Sequence, residues 1–357
     1  FQNHQLVYLS VFENSYRPRT MKRIFRSRTL KQLKFDHDKR LSNRALIECI
    51  QGSTISNLFF ETRRIFDCHE QLASNRYLTE LSLSAVNAED YKIQALWTSK
   101  TLKCVTLFLE NDDRSQKLNY MKGIESNESI VELHLLRCAQ FDLSPLKHND
   151  KIRELTLISA SITDQDLVEL CSNKDLAQLN VFHNKIVGLP ATADFLLNAL
   201  PNLTLLNIGW NSLAEEFCAS IAQHRSLQTL QARKANFTDR AANYLLQSPR
   251  VIDLDISDNS LTDRAFDGLD LSASNMTRLD ARQNMLSNRA AKCIFESRSL
   301  IDVNLFQNNI GFAGVKAIEN NTSIRILDIS SNPISAASKL LLLKHQYLNV
   351  VSFSNNS

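Results

Sequence analysis

The sequence lacks most of the patterns that carry catalysis or cofactor binding. Only 7 of its 357 residues are glycine, and no G-x-x-x-x-G-K segment is present, which excludes a phosphate-binding loop of that type. The eight histidines are scattered, with no H-x-x-x-H spacing and no Cys/His grouping of the kind that metal sites use. The sequence therefore predicts no cofactor, no metal and no small-molecule substrate.

Long apolar runs and runs of basic residues are missing as well. The apolar stretch Leu340–Leu343 lies between Lys339 and Lys344, far short of the roughly eighteen residues that a membrane span needs. The formal net charge is only +3, and the cations are dispersed along the chain. Neither a membrane span nor nucleic-acid binding is expected.

Cysteine pairs of the spacing C-x-x-C are also absent. The cysteines are Cys49, Cys68, Cys104, Cys138, Cys171, Cys218 and Cys293. An odd number without paired clusters favours a reducing, cytosol-like environment over an oxidising one. Most of these side chains are expected to pack in the core as small apolar groups.

The sequence does contain an apolar unit, Φ-x-x-Φ-x-Φ-x-x-N-x-Φ, whose eleven positions are numbered one to eleven below. It begins at Leu6, Leu30, Ile55, Leu78, Leu102, Ile130, Ile152, Leu176, Leu203, Leu227, Val251, Met276, Leu300, Ile324 and Leu348, with steps of 22 to 28 residues. A period this steady is typical of a repeat solenoid. We expect one domain over residues 1–357 with about fifteen repeats, the first and last truncated.

Each repeat predicts a short strand followed by a turn and a helix. In the repeat from Leu300, Val303 and Leu305 alternate with polar residues, and the residues after Gly311 have apolar side chains at helical spacing. Because the chain returns to its start after each repeat, the strands should pair in parallel. The predicted fold is an α/β horseshoe, with strands on the concave face and helices on the convex face. The predicted strand centres are Leu33, Leu58, Leu81, Val105, Leu133, Leu155, Leu179, Leu206, Leu230, Leu254, Leu279, Val303, Leu327 and Val351.

Polar residues at the turns support the same register. Position nine is Asn in eight repeats, where a buried amide can bond to neighbouring backbone: Asn14, Asn184, Asn211, Asn259, Asn284, Asn308, Asn332 and Asn356. Repeats two to seven and repeat ten lack this Asn, so the first half should be less regular than the second. Helix N-caps are expected at Ser42, Thr163, Thr238, Thr262 and Ser287.

Two repeats are longer than the others. The extra residues are expected to form an extended turn over residues 111–118 and a wider segment before the next helix over residues 188–193. Both insertions could flank a bound partner.

The repeats from Val251, Met276 and Leu300 resemble the ribonuclease-inhibitor class of leucine-rich repeats. Within that class, the segment NNIGFAGVKAIENNTS is similar to the GALA-type repeats of effectors that pathogenic bacteria inject into eukaryotic cells. The resemblance implies a protein that binds another protein inside a host cell, either a host protein or a second bacterial effector. Such effectors often carry an F-box or a ubiquitin-ligase domain, and neither is visible in this chain.

Side chains at positions three, five, seven and eight should point to solvent on the strand side. Position seven, with position eight beside it, reads Phe108-Leu109, Leu136-Arg137, Ile158-Ser159, Phe182-His183 and Gly209-Trp210 in repeats five to nine. We expect Phe108, Leu136, Ile158, Phe182 and Trp210 to form one apolar stripe, which would mark a protein interface. The alternative is that neighbouring loops cover the stripe.

Charged residues follow the stripe in bands of alternating sign. They are Arg233 and Lys234, then Asp253, Asp255 and Asp258, then Arg278 and Arg282, then Asp302. Ion pairs between neighbouring strands are one interpretation. A charged rim that selects the partner is the other.

One pair of residues raises the question of catalysis. Cys104 at position three and His134 at position five should face the same side from neighbouring strands, roughly 7–8 Å apart by backbone spacing. No third group clearly orients the histidine, so a catalytic role is not expected. Two functions remain: a non-catalytic scaffold that captures or inhibits a protein, and the substrate-recruiting part of a ubiquitin ligase.

Overall fold

The computed structural model describes residues 6–11, 17–36, 42–61, 68–86, 90–110, 119–137, 142–170 and 173–353. Strands alternate with helices or short 3-10 turns along these residues. The strands are β1 (Tyr8–Val11), β2 (Gln32–Asp36), β3 (Asn57–Glu61), β4 (Glu80–Val86), β5 (Cys104–Glu110), β6 (Glu132–Leu136), β7 (Glu154–Ile158), β8 (Gln178–Asn180), β9 (Leu205–Asn207), β10 (Thr229–Gln231), β11 (Asp253–Asp255), β12 (Arg278–Asp280), β13 (Asp302–Asn304), β14 (Ile326–Asp328) and β15 (Val350–Ser352).

The helices fill the other half of the repeats. They are α1 (Pro18–Phe25), α2 (Asn43–Gln51), α3 (His69–Ser74), α4 (Asp90–Leu96), α5 (Asp164–Leu170), α6 (Pro190–Ala199), α7 (Glu215–Ile221), α8 (Asp239–Leu246), α9 (Asn288–Phe295), α10 (Phe312–Lys316) and α11 (Ala336–Lys344). Short 3-10 turns take this place at Ile124–Ser126, Ser144–His148, Asp263–Phe266 and Leu271–Ala273, and one at Ala317–Asn320 follows α10.

The chain divides into two compact units. Unit 1 contains residues 1–162 and 169–176, and unit 2 contains residues 163–168 and 177–357. In unit 1, strands β1 to β7 pair in parallel with their neighbours in chain order. Strands β8 to β15 do the same in unit 2. All fourteen predicted strand centres lie inside strands of this register, so the leucine-rich-repeat solenoid prediction is confirmed.

The core of each unit is built from positions four and six. In unit 1, Leu33, Leu81 and Val105 are fully buried and lie opposite their counterparts on the next strand. In unit 2, Leu206 and Leu254 occupy the same place. Stacking these side chains from repeat to repeat removes apolar surface from water at about 25 cal/mol per Å², which is what holds neighbouring repeats together.

The Asn residues at position nine bridge adjacent turns in unit 2. The Asn308 amide nitrogen donates to the carbonyl oxygens of Ala281 (3.1 Å) and Leu305 (3.1 Å). Its Oδ1 accepts from the backbone N–H of Leu286 (3.0 Å). Asn259, Asn284 and Asn332 make the same bonds in their own repeats. The predicted role of the turn amides is therefore confirmed at Asn211, Asn259, Asn284, Asn308 and Asn332. The Asn184 amide donates to Val181 and Phe182 of its own repeat, and Asn14 and Asn356 lie outside the described residues.

Repeat ten shows how a turn works without its Asn. At Ala235, the backbone carbonyl replaces the missing amide and accepts the N–H of Leu213 (3.0 Å). The N–H of Ala235 itself donates to Oδ1 of Asn259 (2.8 Å). A single substitution in the series is therefore tolerated because backbone groups satisfy one another.

Unit 1 uses a second series of polar side chains that sequence analysis missed. Three residues before several repeats begin, an Asn donates to the carbonyl of the preceding repeat and accepts the N–H that opens its own. Asn149 donates to Ile124 (2.6 Å) and accepts from Ile152 (3.1 Å). Asn75 and Asn127 make equivalent bonds. Strands in unit 1 have four to seven residues, whereas those in unit 2 have three, in line with the predicted difference in regularity.

Four of the five predicted helix caps accept a hydrogen bond from the first turn. Ser42 and Thr238 cap α2 and α8, Thr163 accepts from Asp166, and Thr262 caps a 3-10 turn. The prediction for Ser287 is wrong, because its hydroxyl donates to the Asp263 carboxylate and makes no cap bond to its own helix.

The longer repeat eight has only part of the predicted segment before its helix: residues 188 and 189 precede α6, and the prediction is wrong for residues 190–193, which form the first turn of that helix. Gly188 adopts a positive φ of 75°, and α6 begins at Pro190. The buried Asp164 carboxylate holds this segment by accepting from the N–H groups of Val187, Gly188 and Leu189 and from the Thr192 hydroxyl. The other predicted insertion, residues 111–118, lies outside the described residues.

Candidate functional site: the strand face

The strand face is the surface formed by positions three, five, seven and eight of each repeat. In unit 1, Phe108, Leu136 and Ile158 lie opposite one another at position seven of β5, β6 and β7. Phe108 is 40% exposed, and Leu136 and Ile158 are half-buried. These three side chains form an apolar row, so this part of the predicted stripe is open to contact.

One residue that was expected to face outward does not. Leu109 is 3% exposed, because β5 continues to Glu110 and keeps the inward alternation of Val105 and Leu107. In the next repeat the chain leaves the strand earlier. Arg137 adopts a positive φ of 59° and its side chain is exposed, as predicted.

An aromatic cluster occupies the strand face of unit 2. The rings of Phe182 and Trp210 have centroids 6.2 Å apart, and His183 meets Trp210 edge-on at 5.4 Å. Trp210 is 38% exposed, His183 is exposed and Phe182 is half-buried. The cluster is therefore accessible. Whether it joins the apolar row of unit 1 in a single stripe stays a prediction.

A glycine determines how the cluster is packed. Trp210 stands at position eight with a φ of 53°, while position seven of its repeat is the buried Gly209. A methyl group built on Gly209 would lie 2.8 Å from the carbonyl oxygen of Arg233 and 3.2 Å from Cδ2 of Phe182. The Phe182 ring therefore occupies space that a side chain at position 209 would need.

A cation and a groove border the cluster. The ammonium nitrogen of Lys234 lies 4.0 Å from the centroid of the Trp210 ring. Next to them is a groove of about 1000 Å³ whose lining includes Trp210, Lys234, Asp258, Phe237 and Asn184. In the four repeats that begin at Leu176, Leu203, Leu227 and Val251, the turns thus place an aromatic face, charged side chains and Asn amides around one groove.

The charged bands that follow are paired with one another. Arg278 lies between Asp253 (3.7 Å) and Asp302 (3.5 Å) on the two neighbouring strands. Arg233 reaches Asp258 (3.8 Å), and Arg282 reaches Asp280 (3.5 Å) within its own repeat. The interpretation as ion pairs between neighbouring repeats is confirmed for Arg278 and Arg233, whereas Arg282 pairs inside its own repeat. Such partly exposed pairs contribute about 0–1 kcal/mol each to stability.

Position five carries acceptors that hold the turn. The carboxylate of Asp255 accepts the N–H of Ser257 (2.9 Å), and that of Asp280 accepts the N–H of Arg282 (3.2 Å). Asn304 makes the same bond on the next strand. Burial, and then the charge of Asp255 on the adjacent strand, raises the pKa of Asp280 to about 6. Burial and the neighbouring carboxylate thus disfavour the charged form of Asp280 on the strand face.

In unit 1 the strand face brings together Cys104 and His134, the pair considered in the sequence analysis, and a third residue, Glu132. Cys104 lies directly opposite Glu132, and His134 follows two residues later on the same strand. The Cys104 sulfur, a Glu132 carboxylate oxygen and a His134 ring nitrogen all lie within 4.8 Å of one another. The expected backbone separation of 7–8 Å therefore understated how closely the side chains approach. Glu132 was not singled out, although the predicted register places it at position three, directly opposite Cys104.

The electrostatics of this trio do not favour an activated nucleophile. Burial, a hydrogen bond with Glu132 and the charges of nearby carboxylates raise the pKa of the Cys104 thiol to about 12. Burial lowers the pKa of His134. Nucleophilic catalysis by cysteine requires a thiolate, which an environment of this kind disfavours.

Comparisons with known proteins agree with this architecture. A family model described as Leucine Rich repeat matches residues 320–337. The internalin inlF of Listeria monocytogenes has a similar structure, with a TM-score of 0.58 and 17% identity over 96% of this chain and 90% of that chain. Rad7 in the yeast Rad7 and Elc1 complex is likewise similar, with a TM-score of 0.53 and 12% identity over 93% and 83% of the two chains. No curated protein matches the chain.

These findings define the fold of the protein. The repeat period, the parallel strand register and the similar solved structures show a leucine-rich-repeat solenoid fold. Among the described residues, no helix has the length and apolar character needed to cross a bilayer.

Proposed function

We propose that this chain is a non-catalytic scaffold that captures or inhibits another protein through its strand face. The observation that carries the proposal is the accessible cluster of Phe182, His183 and Trp210, with Lys234 against the indole ring and a groove beside it. Aromatic side chains with a cation at hand are the residue types that dominate protein interfaces. The apolar row of Phe108, Leu136 and Ile158 supplies a second contact surface.

The charged residues next to the cluster fit the role of a rim. Arg233, Asp255 and Arg282 lie half-buried in the following repeats, and the ion pairs of the two arginines can exchange for pairs with a partner. Exposed charges of this kind guide encounter and orientation more than they add affinity.

We further propose that the chain acts as a bacterial effector in a reducing compartment such as a host cytosol. The support is the GALA-like segment near Leu300, the similar fold of a Listeria internalin, and the free thiols of all five described cysteines. Cys49, Cys68 and Cys218 are buried as expected, Cys104 and Cys293 are half-buried, and Cys138 and Cys171 lie outside the described residues.

A second candidate is the substrate-recruiting part of a ubiquitin ligase. Its support is the resemblance to effectors that often carry an F-box, together with the similar fold of Rad7, which was solved in a complex with another protein, Elc1. The two candidates differ in the fate of the partner. Simple capture blocks the partner's activity without modifying it, whereas recruitment leads to ubiquitylation of the partner in cells that express the full gene.

The test is capture with matched variants. Immobilised wild-type chain, Trp210→Ala and the control Tyr77→Ala are exposed to host and bacterial lysates, and proteins that depend on Trp210 are identified. Tyr77 is 57% exposed but lies in a turn before β4, away from the strand face. A partner retained equally by all three proteins contradicts the proposed surface.

A further inference from the structure

Four adjacent strands of unit 1 carry one row of acidic and thiol side chains. At position three of β4 to β7, the register places Glu80 opposite Cys104, Cys104 opposite Glu132, and Glu132 opposite Glu154. His134 lies at position five of β6, between Thr106 and Thr156 on the two neighbouring strands. The row and the neighbouring His134 thus place a thiol, carboxylates and an imidazole on one face.

Glu80, Glu132 and Glu154 give this row a high density of acidic side chains. Glu80 accepts a hydrogen bond from the Asn57 amide, and Glu132 interacts with the Cys104 thiol. Across the described part of unit 1, no lysine or arginine forms an ion pair with Glu80 or Glu132. By contrast, the acidic side chains Asp253, Asp258 and Asp302 in unit 2 each have an arginine partner. A bound cation would supply the missing positive charge.

The three central side chains have donor atoms that suit a particular cation. Their sulfur, oxygen and nitrogen atoms already lie within 4.8 Å of one another, and all three residues are half-buried. Ligands at roughly 2.0–2.3 Å from a tetrahedral zinc ion lie roughly 3.3–3.6 Å apart, so small side-chain rotations would complete the geometry. Thiolate and imidazole ligands select zinc over calcium or magnesium, which prefer oxygen ligands alone.

We propose that Cys104, Glu132 and His134 bind a Zn²⁺ ion on the strand face of unit 1. On binding, the Cys104 thiol releases its proton to solvent and the sulfur becomes a thiolate ligand, while Nδ1 or Nε2 of neutral His134 and a Glu132 oxygen donate lone pairs. A water molecule would complete the four-coordinate shell. The ion would clamp β5 to β6 beside the apolar row, since Phe108 and Leu136 lie on the same two strands.

The proposal is tested with zinc chloride on the full chain after chelator treatment. The wild-type chain should bind about one Zn²⁺, and Cys104→Ser and His134→Ala should each weaken binding at least about tenfold, as loss of a ligand or its support commonly does. The control is Cys293→Ser, a half-buried thiol in unit 2 outside the cluster, which should bind zinc as the wild type does.

Cobalt substitution gives an independent readout. Co²⁺ should produce a thiolate-to-cobalt charge-transfer absorption in the wild type and in Cys293→Ser, and none in Cys104→Ser. Glu132→Gln serves as a further variant if Cys104→Ser folds poorly by circular dichroism. Equal zinc affinity in the wild type and Cys104→Ser overturns the proposal. So does equal competition by Mg²⁺ or Ca²⁺, which would make the row a nonspecific acidic patch.

Discussion

The ammonium group of Lys234 rests over the Trp210 ring of the preceding repeat, 4.0 Å from its centroid. A cation in this position polarises the exposed indole and keeps it in place, at a gain of about 0.5–1 kcal/mol for a solvent-exposed pair. This contact engages the Lys234 ammonium group but leaves it exposed to solvent. Trp210 is therefore an ordered and accessible surface group, and its proposed role in binding has consequences that mutagenesis can measure.

Trp210→Ala should separate binding from folding. Removing a well-packed aromatic anchor costs about 2 kcal/mol or more of binding, roughly thirtyfold in affinity. Because the indole is 38% exposed, the melting temperature should hardly change. Titration calorimetry with the captured partner and a thermal melt of the free chain provide the two measurements. Phe182→Ala should weaken binding too, but with a larger loss of stability, since Phe182 is half-buried.

Unchanged partner affinity in both variants would show that the aromatic cluster is not the interface. A large fall in melting temperature for Trp210→Ala would instead assign the indole to the core.

Gly209→Ala should destabilise unit 2. The new methyl group would meet the Arg233 carbonyl oxygen at 2.8 Å and the Phe182 ring at 3.2 Å, so the backbone or the ring must move. Overpacking of this kind typically costs about 1–3 kcal/mol. Gly52→Ala is the matched control, because its methyl group would meet only ordinary contacts at 3.6 Å or more. Chemical denaturation of both variants tests the difference, and equal stabilities would refute this account of Gly209.

Asn308→Ala should cost much more than Asn309→Ala. The first change removes three donated bonds and leaves the N–H of Leu286 without its acceptor. Unsatisfied buried backbone groups cost about 1–3 kcal/mol each, so a total loss of roughly 2–4 kcal/mol is expected. Asn309 is the next residue and is exposed, so its truncation should fall within about 0.5 kcal/mol of the wild type. Urea unfolding followed by circular dichroism provides the comparison. Similar losses of stability at both positions would contradict the role assigned to the Asn308 amide.

Asp280→Asn should stabilise the protein at neutral pH. The folded pKa of about 6 lies above the ordinary carboxyl value of 3.8 because of burial and the charge of Asp255. A raised pKa means that the folded state holds its proton more tightly, so this contribution to stability is complete below about pH 4 and is lost as the pH rises through about 6. Two pKa units correspond to at most about 3 kcal/mol.

Asparagine keeps the acceptor for the Arg282 N–H, as Asn304 does in the next repeat. Melting temperatures of the wild type and Asp280→Asn between pH 4 and pH 7 should therefore diverge as the pH rises. Asp328→Asn is the control, because Asp328 makes the equivalent bond to Ser330 from a half-buried position. Parallel pH curves for the wild type and Asp280→Asn would rule out this role for Asp280.

Much of the fold could be predicted because the same local sequence pattern recurs in every repeat, and each recurrence predicts the same strand, turn and helix. Val303 and Leu305 alternate with polar residues in a way that only an inward-facing strand satisfies, and the same argument holds at every repeat start. The turn amides were predictable for the same reason. The second series, Asn75, Asn127 and Asn149, was visible in the sequence three residues before each repeat, but lies outside the apolar unit from which the register was derived.

The strand face was less predictable because it depends on backbone angles and side-chain directions. Leu109 and Arg137 both lie at position eight of their repeats. Leu109 is buried because β5 continues past it, whereas Arg137 has a positive φ and its side chain points to solvent. Cys104, Glu132 and His134 meet because their side chains converge across two strands, which spacing alone does not encode. Such differences arise from local geometry within a shared repeat.

The Asn residues at position nine of unit 2, which bridge adjacent turns, also bear on how such a protein changes over evolutionary time. Asn284 bonds to Ile256 and Leu261 of the repeat before it, and Asn308 bonds in the same way to Ala281 and Leu286. Excision of residues 276–299 would bring Asn308 to the very groups that Asn284 now serves. Gain or loss of a whole Asn-bearing repeat therefore preserves the bonds of this series, so recombination can lengthen or shorten this part of unit 2 in steps of one repeat.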